Sequence, residues 1–379
     1  MDKTINIIGA GIGGLTTAIA LEQKGFKTRI FEQSEKIKPV GAGIILANNA
    51  MQVYTKLGLN KIIESHGNAI SSLNITKPSL KPLSKADLSF FEKKHNTKNI
   101  AIHRGELQQL LINQLMSSEI LLNHKLEDIV QDNDDYILKF NNNKTYNTPI
   151  VLGADGINSV VRDCLFPKSE IRHANQICWR GITNYTLPKE FKNELNEAWG
   201  KDERFGFVQI SDSTVYWYAL KSFKKNKNEL THTNIGNYFN DYHSCIKDLI
   251  SATPKEKLNT AEISDLKPTT TWYRNNVCLI GDAAHATTPN MGQGACQAIE
   301  DAFVFSECLE TYETDEAFEK FQNIRLPKAH HVVKTSWSIG KMAHISNPIL
   351  IGLRNKILQL TPTSISKKQY NKLFQLSSI

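Results

Sequence analysis

Residues 3–33 read KTINIIGAGIGGLTTAIALEQKGFKTRIFEQ, and this stretch decides the fold. The isoleucine-rich run at 4–9 predicts a β-strand, and the next run predicts a helix from about Ile12 to Lys24. The run KTRIFE then predicts a second strand. A strand, a glycine-rich turn, a helix and a second strand are typical of the dinucleotide-binding unit of an α/β protein.

Three glycines, Gly9, Gly11 and Gly14, join the first predicted strand to the helix with the spacing G-x-G-x-x-G. The first permits a tight turn, the second lets a pyrophosphate approach the backbone, and the third lets the helix pack closely on the strand. The N-terminus of the helix offers free N–H groups to phosphates. Glu32 ends the second strand, where a carboxylate can accept hydrogen bonds from an unphosphorylated adenosine ribose. We therefore expect FAD or NAD rather than NADP at this turn.

FAD needs contacts from distant segments, and three segments have the composition to supply them. The loop at Gly41, Ala42 and Gly43 lacks bulk where a flat ring could lie against backbone, although a flexible turn explains it equally well. Arg104 precedes a predicted helix, where its guanidinium can pair with a phosphate. Asp155 follows an apolar predicted strand, and ligands bind at the carboxyl ends of strands in open α/β sheets. These segments favour FAD.

A later stretch, residues 277–309, reads VCLIGDAAHATTPNMGQGACQAIEDAFVFSECL. Its apolar run ends at Gly281 and Asp282, and a Gly-Gln-Gly then opens a predicted helix. Asp282 and His285 could be a hydrolytic pair, metal ligands or plain loop residues. The first two interpretations are disfavoured because no third ligand or orienting acid follows at a workable spacing.

Between about residues 172 and 267 the pattern changes to short alternating runs such as RFGFVQISD and TVYWYALKSF. Alternation predicts antiparallel strands, and their aromatic residues suit a pocket wall, although any single aromatic more often belongs to the core. We expect this sheet to be inserted into the nucleotide-binding domain. The expected division is a discontinuous FAD-binding domain over 1–70, 99–171 and 268–325, a substrate domain over 71–98 and 172–267, and a C-terminal helical segment over 326–379.

Over nearly its whole length the chain resembles the class A flavoprotein monooxygenases, the FAD-dependent aromatic hydroxylase family. The resemblance rests on the glycine turn with Glu32, HRGELQQLL at 103–111, GADGINSVVR at 153–162, and above all GDAAHATTPNMGQGACQAIEDA at 281–302. The segments TPNMGQGACQAIED and CWRGI look most like the branch of urate hydroxylase, hydroxybenzoate hydroxylase and zeaxanthin epoxidase. One departure is Ala47-Asn48, where many members have Pro-Asn. The implied fold is a Rossmann-like FAD-binding domain with an inserted, mainly antiparallel β substrate domain and C-terminal helices.

Carried over by position, the resemblance assigns parts of an FAD site to this chain. It implies that Glu32 and the glycine turn hold the ADP half and that Arg104 touches the pyrophosphate region. Asp155 belongs to the segment that the family links to FAD and the incoming nicotinamide nucleotide, and Asp282 to the ribityl or pyrophosphate region. The Gly-Gln-Gly loop faces the flavin ring. The expected cofactor-binding residues are Gly9, Gly11, Gly14, Glu32, Gly41, Ala42, Gly43, Arg104, Asp155, Gly281, Asp282, Pro289, Gly292, Gln293 and Gly294, and no metal is expected.

The implied activity is an FAD- and NAD(P)H-dependent monooxygenase that inserts one oxygen atom into a small aromatic or heteroaromatic substrate. Reduced FAD reacts with O2 to form a C4a-hydroperoxide in a dry site, and NADPH or NADH binds transiently. A helix beginning at about Gly292-Gln293-Gly294 would stabilise negative charge near flavin N1. Two alternatives stay open. One is a related flavin monooxygenase that acts on a polycyclic antibiotic such as a tetracycline, or an epoxidase; the other is a non-hydroxylating flavoprotein reductase or carrier.

The candidates for substrate positioning are Arg204 and Tyr216, which occupy the positions of substrate-contacting residues in the urate-hydroxylase-like branch. The resemblance implies that Arg204 holds an anionic or carbonyl group and that Tyr216 makes a hydrogen bond. Arg180 could do the same, although a structural ion pair is favoured for it. No convincing general base is visible, so a phenolic or urate-like substrate would supply its own nucleophilic carbon.

Composition argues against several other classes of protein. A chain of 379 residues with a net charge of +7, 40% apolar and 22% charged, is typical of a globular protein with an ample core. It has no basic patch interleaved with aromatics, which argues against nucleic-acid binding. Six scattered cysteines without a CxxC pair favour reduced thiols and a cytoplasmic location.

The C-terminal tail, HISNPILIGLRNKILQLTPTSISKKQYNKLF, predicts amphipathic helices. We expect these helices to cover the domain junction, and attachment to an acidic membrane surface is the less favoured alternative. No apolar run approaches the ~20 residues that span a bilayer. The expected assembly is a monomer or a homodimer.

Overall fold

The computed structural model describes residues 4–37, 42–166, 169–224, 230 and 235–378. Its strands are β1 (Ile5–Ile8), β2 (Thr28–Phe31), β3 (Gly43–Leu46), β4 (Asn68–Ile70), β5 (Ser72–Thr76), β6 (Pro82–Asp87), β7 (Asn99–His103), β8 (Glu119–Leu121), β9 (Leu126–Asp132), β10 (Asp135–Phe140), β11 (Thr145–Thr148), β12 (Ile150–Gly153), β13 (Ile171–Asn184), β14 (Glu194–Trp199), β15 (Glu203–Ser211), β16 (Thr214–Ser222), β17 (Asn259–Leu266), β18 (Tyr273–Arg274) and β19 (Val277–Leu279).

The α-helices among these residues are α1 (Ile12–Gln23), α2 (Asn48–Lys56), α3 (Asn60–His66), α4 (Ser89–His95), α5 (Arg104–Ile112), α6 (Val160–Leu165), α7 (Ser244–Ser251), α8 (Asp282–His285), α9 (Gly294–Thr311), α10 (Thr314–Ala343), α11 (Pro348–Leu360) and α12 (Thr363–Phe374). Short 3-10 helices lie at Lys189–Phe191, Ile235–Phe239, Lys255–Lys257 and Pro289–Met291.

A six-stranded sheet with the order β18-β19-β12-β1-β2-β8 carries the glycine-rich turn. Strand β1 is parallel to both of its neighbours, β12 and β2, and every residue of β1 is buried. Burial on both faces explains why β1 is an unbroken apolar run rather than an alternating one. The predicted strand–turn–helix–strand order is confirmed. Helix α1 ends at Gln23, one residue early, because the Lys24 N–H turns back to Leu21 O at 3.0 Å.

A seven-stranded sheet with the order β17-β13-β16-β15-β14-β5-β6 forms the second large layer, and only the β14–β5 pair is parallel. Alternation along β16 sends its side chains to opposite faces. Trp217 packs with Phe205 and Phe207 in a cluster of this sheet, whereas Tyr216 joins the core shared with the parallel sheet. The antiparallel pattern predicted from the aromatic runs is confirmed, and one face of the sheet covers the nucleotide-binding layer.

The C-terminal part of the chain is helical, as predicted. Helix α9 packs between α1 and α10, and α12 contacts both α2 and β6 of the antiparallel sheet. The tail therefore packs on α2 and on the edge strand β6 of the antiparallel sheet. Within the described ranges, no helix combines the length and the apolar character needed to cross a membrane.

Candidate active site

In the glycine-rich turn after β1, two of the three motif glycines are closely packed and the third faces open space. Gly9 has φ +109°, and a Cβ on it would lie 2.5 Å from the carbonyl oxygen of Ala154. A Cβ on Gly14 would lie 2.1 Å from the oxygen of Gly9, so both positions require glycine for packing. A Cβ on Gly11 would meet nothing within 4 Å. Gly11 also precedes α1 without a side-chain cap, so the first N–H groups of α1 are open to a ligand.

Glu32 lies beside this turn at the carboxyl end of β2. Its Oε2 accepts a hydrogen bond from the Ala10 N–H at 3.0 Å, and its Oε1 accepts one from the Ser34 N–H at 2.9 Å. Gln108 of α5 also reaches the turn, since its Nε2 donates to the Ala10 oxygen at 2.7 Å. The sequence pattern identified Glu32 but not Gln108, because α5 lies almost a hundred residues further along the chain.

A second glycine turn, after β19, faces the first. Gly281 has φ +56°, and a Cβ on it would lie 2.9 Å from the Cβ of Ala298 in α9. A Cβ on Gly13 would lie 3.1 Å from the same Ala298 atom. Both turns therefore pack against one small side chain of α9. The early and late sequence segments meet at this point.

Asp282 lines the cleft between these turns. Its side chain is accessible to solvent, yet burial by the surrounding protein raises its pKa, and the charges of His285 and Arg104 oppose that rise. An accessible carboxyl group surrounded by protein lines a concave surface. Arg104 is exposed at the first position of α5, and its backbone N–H donates to the Ala42 oxygen at 2.9 Å. The two predicted ligands from distant segments are thus brought together.

His285 is held by an acid that the sequence analysis missed. Its Nε2 lies 2.6 Å from Oδ2 of Asp301, and that oxygen also accepts from the Gly281 N–H at 2.9 Å. Asp301 Oδ1 accepts from Nε of Arg325 at 2.7 Å. Burial raises the pKa of Asp301, but the charges of His285 and Arg325 outweigh it and the pKa stays far below its usual range. The prediction that no orienting acid follows His285 is wrong.

The hydrolytic interpretation nevertheless fails, because the His285–Asp301 pair holds the Gly281 turn. The pair is buried, and Asp301 is already bonded to a backbone N–H and to Arg325. The described residues also contain no group of three or more His, Cys, Asp and Glu side chains that could hold a metal ion.

The Gly-Gln-Gly loop leads into α9. Pro289 opens a 3-10 turn, Gly292 follows with φ +62°, and a Cβ on Gly292 would meet nothing within 4 Å. Helix α9 begins at Gly294, within the predicted start at Gly292-Gln293-Gly294. Gln293 is buried, and its Oε1 accepts from the amides of Asn49 and Gln297 at 3.2 and 3.0 Å. Gln293 thus ties this loop to α2, and Gly292 presents backbone to the open side.

The loop before β3 packs differently from the prediction. Gly41 lies outside the described residues. Ala42 is buried, and a Cβ on Gly43 would lie 2.4 Å from the ring of Tyr216. The flat ring that lies against Gly43 is therefore a side chain of the antiparallel sheet. At the departure from the family pattern, the Ala47 N–H that a proline would lack donates to Cys296 Sγ at 3.4 Å.

Asp155 caps a helix. Its Oδ2 accepts from the backbone N–H groups of Val160 and Val161, at 2.7 and 3.2 Å, at the start of α6. Burial raises the pKa of this carboxyl group, and these hydrogen bonds oppose the rise. One carboxylate oxygen of Asp155 is thus committed to the fold.

Arg204 is buried in a polar cluster of the antiparallel sheet. Its Nη1 donates to Oε1 of Glu197 at 3.0 Å, and its Nη2 donates to the Asn290 side chain. Glu197 also accepts from Trp199 Nε1 at 2.6 Å and from the Tyr218 hydroxyl. Two of the three guanidinium nitrogens are therefore committed to protein groups. Glu197 and Asn290 carried no signal in the sequence, because their partners lie 7 and 86 positions from them.

Tyr216 and Arg180 form a second polar pair on the face that covers Gly43. Burial raises the pKa of Tyr216, and the nearby charge of Arg180 opposes that rise. The charge of Arg104 acts on Tyr216 in the same direction. Sequence reasoning favoured an ion pair for Arg180, which stays a prediction; the charge of Arg180 acts on Tyr216.

The comparisons with known proteins agree with this geometry. Residues 2–336 match the family model described as "FAD binding domain". The chain is also 31% identical over 360 residues to the aurachin C monooxygenase/isomerase of Stigmatella aurantiaca, covering 94% of each chain. This chain belongs to the class A FAD-dependent monooxygenases. FAD is therefore its cofactor.

Other relatives of this monooxygenase agree in fold or sequence. It is 29% identical over 379 residues to the 2-heptyl-3-hydroxy-4(1H)-quinolone synthase of Pseudomonas aeruginosa, covering 98% of this chain and 97% of the relative. The structure of HpxO from Klebsiella pneumoniae complexed with FAD and uric acid has a TM-score of 0.88 at 22% identity, covering 99% of this chain and 97% of that one. That likeness confirms the predicted fold.

Three features of the described residues could accommodate an extended dinucleotide. The start of α1 has no side-chain cap, a Cβ on Gly11 would meet nothing within 4 Å, and Asp282 is exposed. A cavity at the opposite edge of the parallel sheet does not coincide with the glycine turns. A surface cavity of about 460 Å³ lies beside Ile5, Ile150 and Glu316, at the amino ends of β1 and β12. That position is the sheet edge opposite to the glycine turns.

Proposed function

We propose that this enzyme uses NAD(P)H and O2 to insert one oxygen atom into a small heteroaromatic compound, with 4-quinolones as the first class to test. The observation that carries the substrate class is the Arg180–Tyr216 pair beside Gly43. Its guanidinium and hydroxyl groups can bind a ring carbonyl or its enolate oxygen. The two curated relatives named above concern aurachin C and a 4(1H)-quinolone, which supports this class.

We also propose how the chain holds FAD. The open N–H groups at the start of α1 bind the pyrophosphate, since a helix N-terminus favours anions. Glu32 accepts from the adenosine ribose. Arg104 and Asp282 contact the middle of the cofactor, and the backbone at Gly292 and Gly294 faces the ring. Bound reduced flavin supplies the activation of O2.

The protein groups around the cofactor then orient the substrate and exclude water. Tyr216 stays protonated at neutral pH because burial raises its pKa, so its hydroxyl can donate to a substrate oxygen. Arg204, the other predicted substrate residue, supports the substrate side of the antiparallel sheet by holding Glu197 and Asn290 in place. Tyr216 is buried in the core that the antiparallel sheet shares with the parallel sheet, and low-dielectric surroundings strengthen its hydrogen bonds.

We propose a cytoplasmic location, which is supported by the absence of disulfides among the six cysteines, all of them free. The domain division stated above, a monomeric or homodimeric assembly and transient binding of NADPH or NADH remain predictions.

The test follows NADH and NADPH oxidation with O2 uptake by the flavin-loaded enzyme against 2-alkyl-4-quinolones, phenols, urate and tetracyclines. A quinolone should stimulate both and yield a product heavier by one oxygen atom. Stimulation only by a tetracycline would support the antibiotic alternative, and oxidation without any oxygenated product would support a reductase. Tyr216→Phe and Arg180→Gln should raise KM for the quinolone about tenfold or more. Tyr185→Phe is the matched control, because that hydroxyl bonds to Asp248 at 3.3 Å, outside the wall described above.

A further inference from the structure

Helix α11 exposes the side chains that a surface helix normally buries. Ile349 is 81% exposed and Leu360 78%, and Leu350, Leu353 and Ile357 are each 49–55% exposed. These residues follow one another at intervals of mostly three or four, so they form a single stripe along the helix. We call these five residues the apolar stripe.

The most deeply buried residue on the inner side of α11 is an arginine, and Ile351 and Leu358 on the same side are only partly buried. Arg354 is 3% exposed, and its Nη1 donates to the Ala343 oxygen at 3.0 Å. Its guanidinium also lies over the ring of Trp199, 5.5 Å from the centroid. A helix that buries arginine and turns leucine and isoleucine outward reverses the usual amphipathic arrangement. Exposed apolar patches of this kind mark interaction surfaces.

The C-terminal segment that carries the stripe contains charged residues of one sign only. Residues 320–379 contain ten Lys and Arg and no Asp or Glu, so they carry +10 in a chain of +7, and the other 319 residues carry −3. Four lysines of α11 and α12 are exposed: Lys356, Lys367, Lys368 and Lys372. The tail therefore carries an apolar stripe and four exposed lysines, whereas Arg325 and Lys328 pair with the buried Glu300.

We propose that α11 docks on an anionic lipid surface. The stripe would lie in the interface, and the exposed lysines would face the headgroups, which is how basic amphipathic helices bind membranes. A second copy of the chain fits less well. Two copies packed through α11 would add the positive charges of both tails, and residues 320–379 contain no Asp or Glu side chain to pair with them. A lipid surface supplies the missing negative charge.

The docked helix would hold the substrate side of the enzyme near the lipid. Trp199, on which Arg354 lies, donates to the same Glu197 that holds Arg204 and Tyr218. Arg354 of α11 is thus connected to Glu197 of the polar cluster through Trp199.

Vesicle flotation of the full, FAD-loaded chain tests the proposal. We expect the chain to float with vesicles of equal parts phosphatidylcholine and phosphatidylglycerol, and far less with phosphatidylcholine alone. The triple variant Ile349→Gln, Leu353→Gln, Ile357→Gln should lose about a hundredfold in binding, since each side chain loses a large part of its apolar transfer. Met116→Gln, at a 71% exposed methionine outside the tail, is the matched control and should bind unchanged.

The lysines provide a second arm. Lys356→Gln, Lys368→Gln and Lys372→Gln should each weaken binding to the anionic vesicles about fivefold, and salt should weaken binding of the parent chain. Flavin absorbance and circular dichroism should stay unchanged in all variants, because every substituted side chain is exposed. Failure of the parent chain to float with anionic vesicles would overturn the proposal. So would a solution dimer that the triple apolar variant converts to monomer, since a second copy would then cover the stripe.

Discussion

The glycine turn after β1 allows folding and cofactor binding to be separated with two single substitutions. Gly14→Ala places a methyl group 2.1 Å from the Gly9 oxygen, and the obstructing atom is backbone that cannot rotate away. Overpacking a core typically costs about 1–3 kcal/mol, and this contact belongs at the upper end, so we expect a loss of about 3 kcal/mol of unfolding free energy.

Gly11→Ala should behave in the opposite way. Its φ of −72° and ψ of 175° suit alanine, and the added Cβ meets no atom within 4 Å. Alanine restricts the unfolded chain, which slightly stabilises the fold, and it is a slightly poorer N-cap than glycine, which slightly destabilises it. These effects nearly cancel, so the unfolding free energy of the apoprotein should change by less than about 0.5 kcal/mol. FAD affinity should fall about tenfold or more, because the methyl group occupies the side on which a pyrophosphate approaches the backbone.

The assay measures urea unfolding of both apoproteins and titrates each with FAD by the change in flavin fluorescence. A Gly14→Ala apoprotein as stable as the parent would show that the helix–strand contact is not what the geometry indicates. Unchanged FAD affinity in Gly11→Ala would refute the placement of the pyrophosphate at this turn.

Three further predictions concern other residues of the site and its supports. Glu32→Ala should weaken FAD binding about tenfold or more by removing a charged acceptor, as measured by the same titration, and equal affinity would remove its assigned role. Asp301→Asn should lower the unfolding free energy by about 1–3 kcal/mol, because Arg325 loses one charged acceptor but keeps its buried partner Glu300. Asp128→Asn, in an exposed pair, should cost less than about 1 kcal/mol of unfolding free energy in urea. Burial and the nearby charge of Arg204 lower the pKa of His344 from 6.5 to about 3. Between these values the unfolded chain binds the extra proton, so stability should rise with pH by up to about 1.4 kcal/mol per pH unit. His344→Gln should remove that slope, and an unchanged slope in urea midpoints against pH would contradict the pKa.

The sequence pattern predicts those parts of the protein that depend on residues close together in the chain. The strand β1, the glycine turn and α1 follow from an apolar run, from backbone angles that only glycine tolerates easily, and from helical spacing within about twenty residues. The antiparallel strands follow from alternation for the same reason. The two glycine turns were also recognisable from sequence, although neither sequence motif predicts that both turns pack against Ala298.

Tertiary structure decided which polar groups meet. Asp301 holds His285 from the next helix, Glu197 and Asn290 occupy Arg204, and Tyr216 lies against Gly43. These partners come together because separate sheets and helices pack, and no spacing rule within one segment encodes that packing.

Helix α11 shows the same limit. Its amphipathic spacing is present in the sequence, but the spacing does not predict which side of the helix faces the protein. The Arg354–Trp199 contact decides that orientation by fixing the arginine inward, and it leaves the apolar stripe outside. The sequence therefore determined the elements and the cofactor class, whereas long-range packing determined the polar wall of the site and the outward face of the tail.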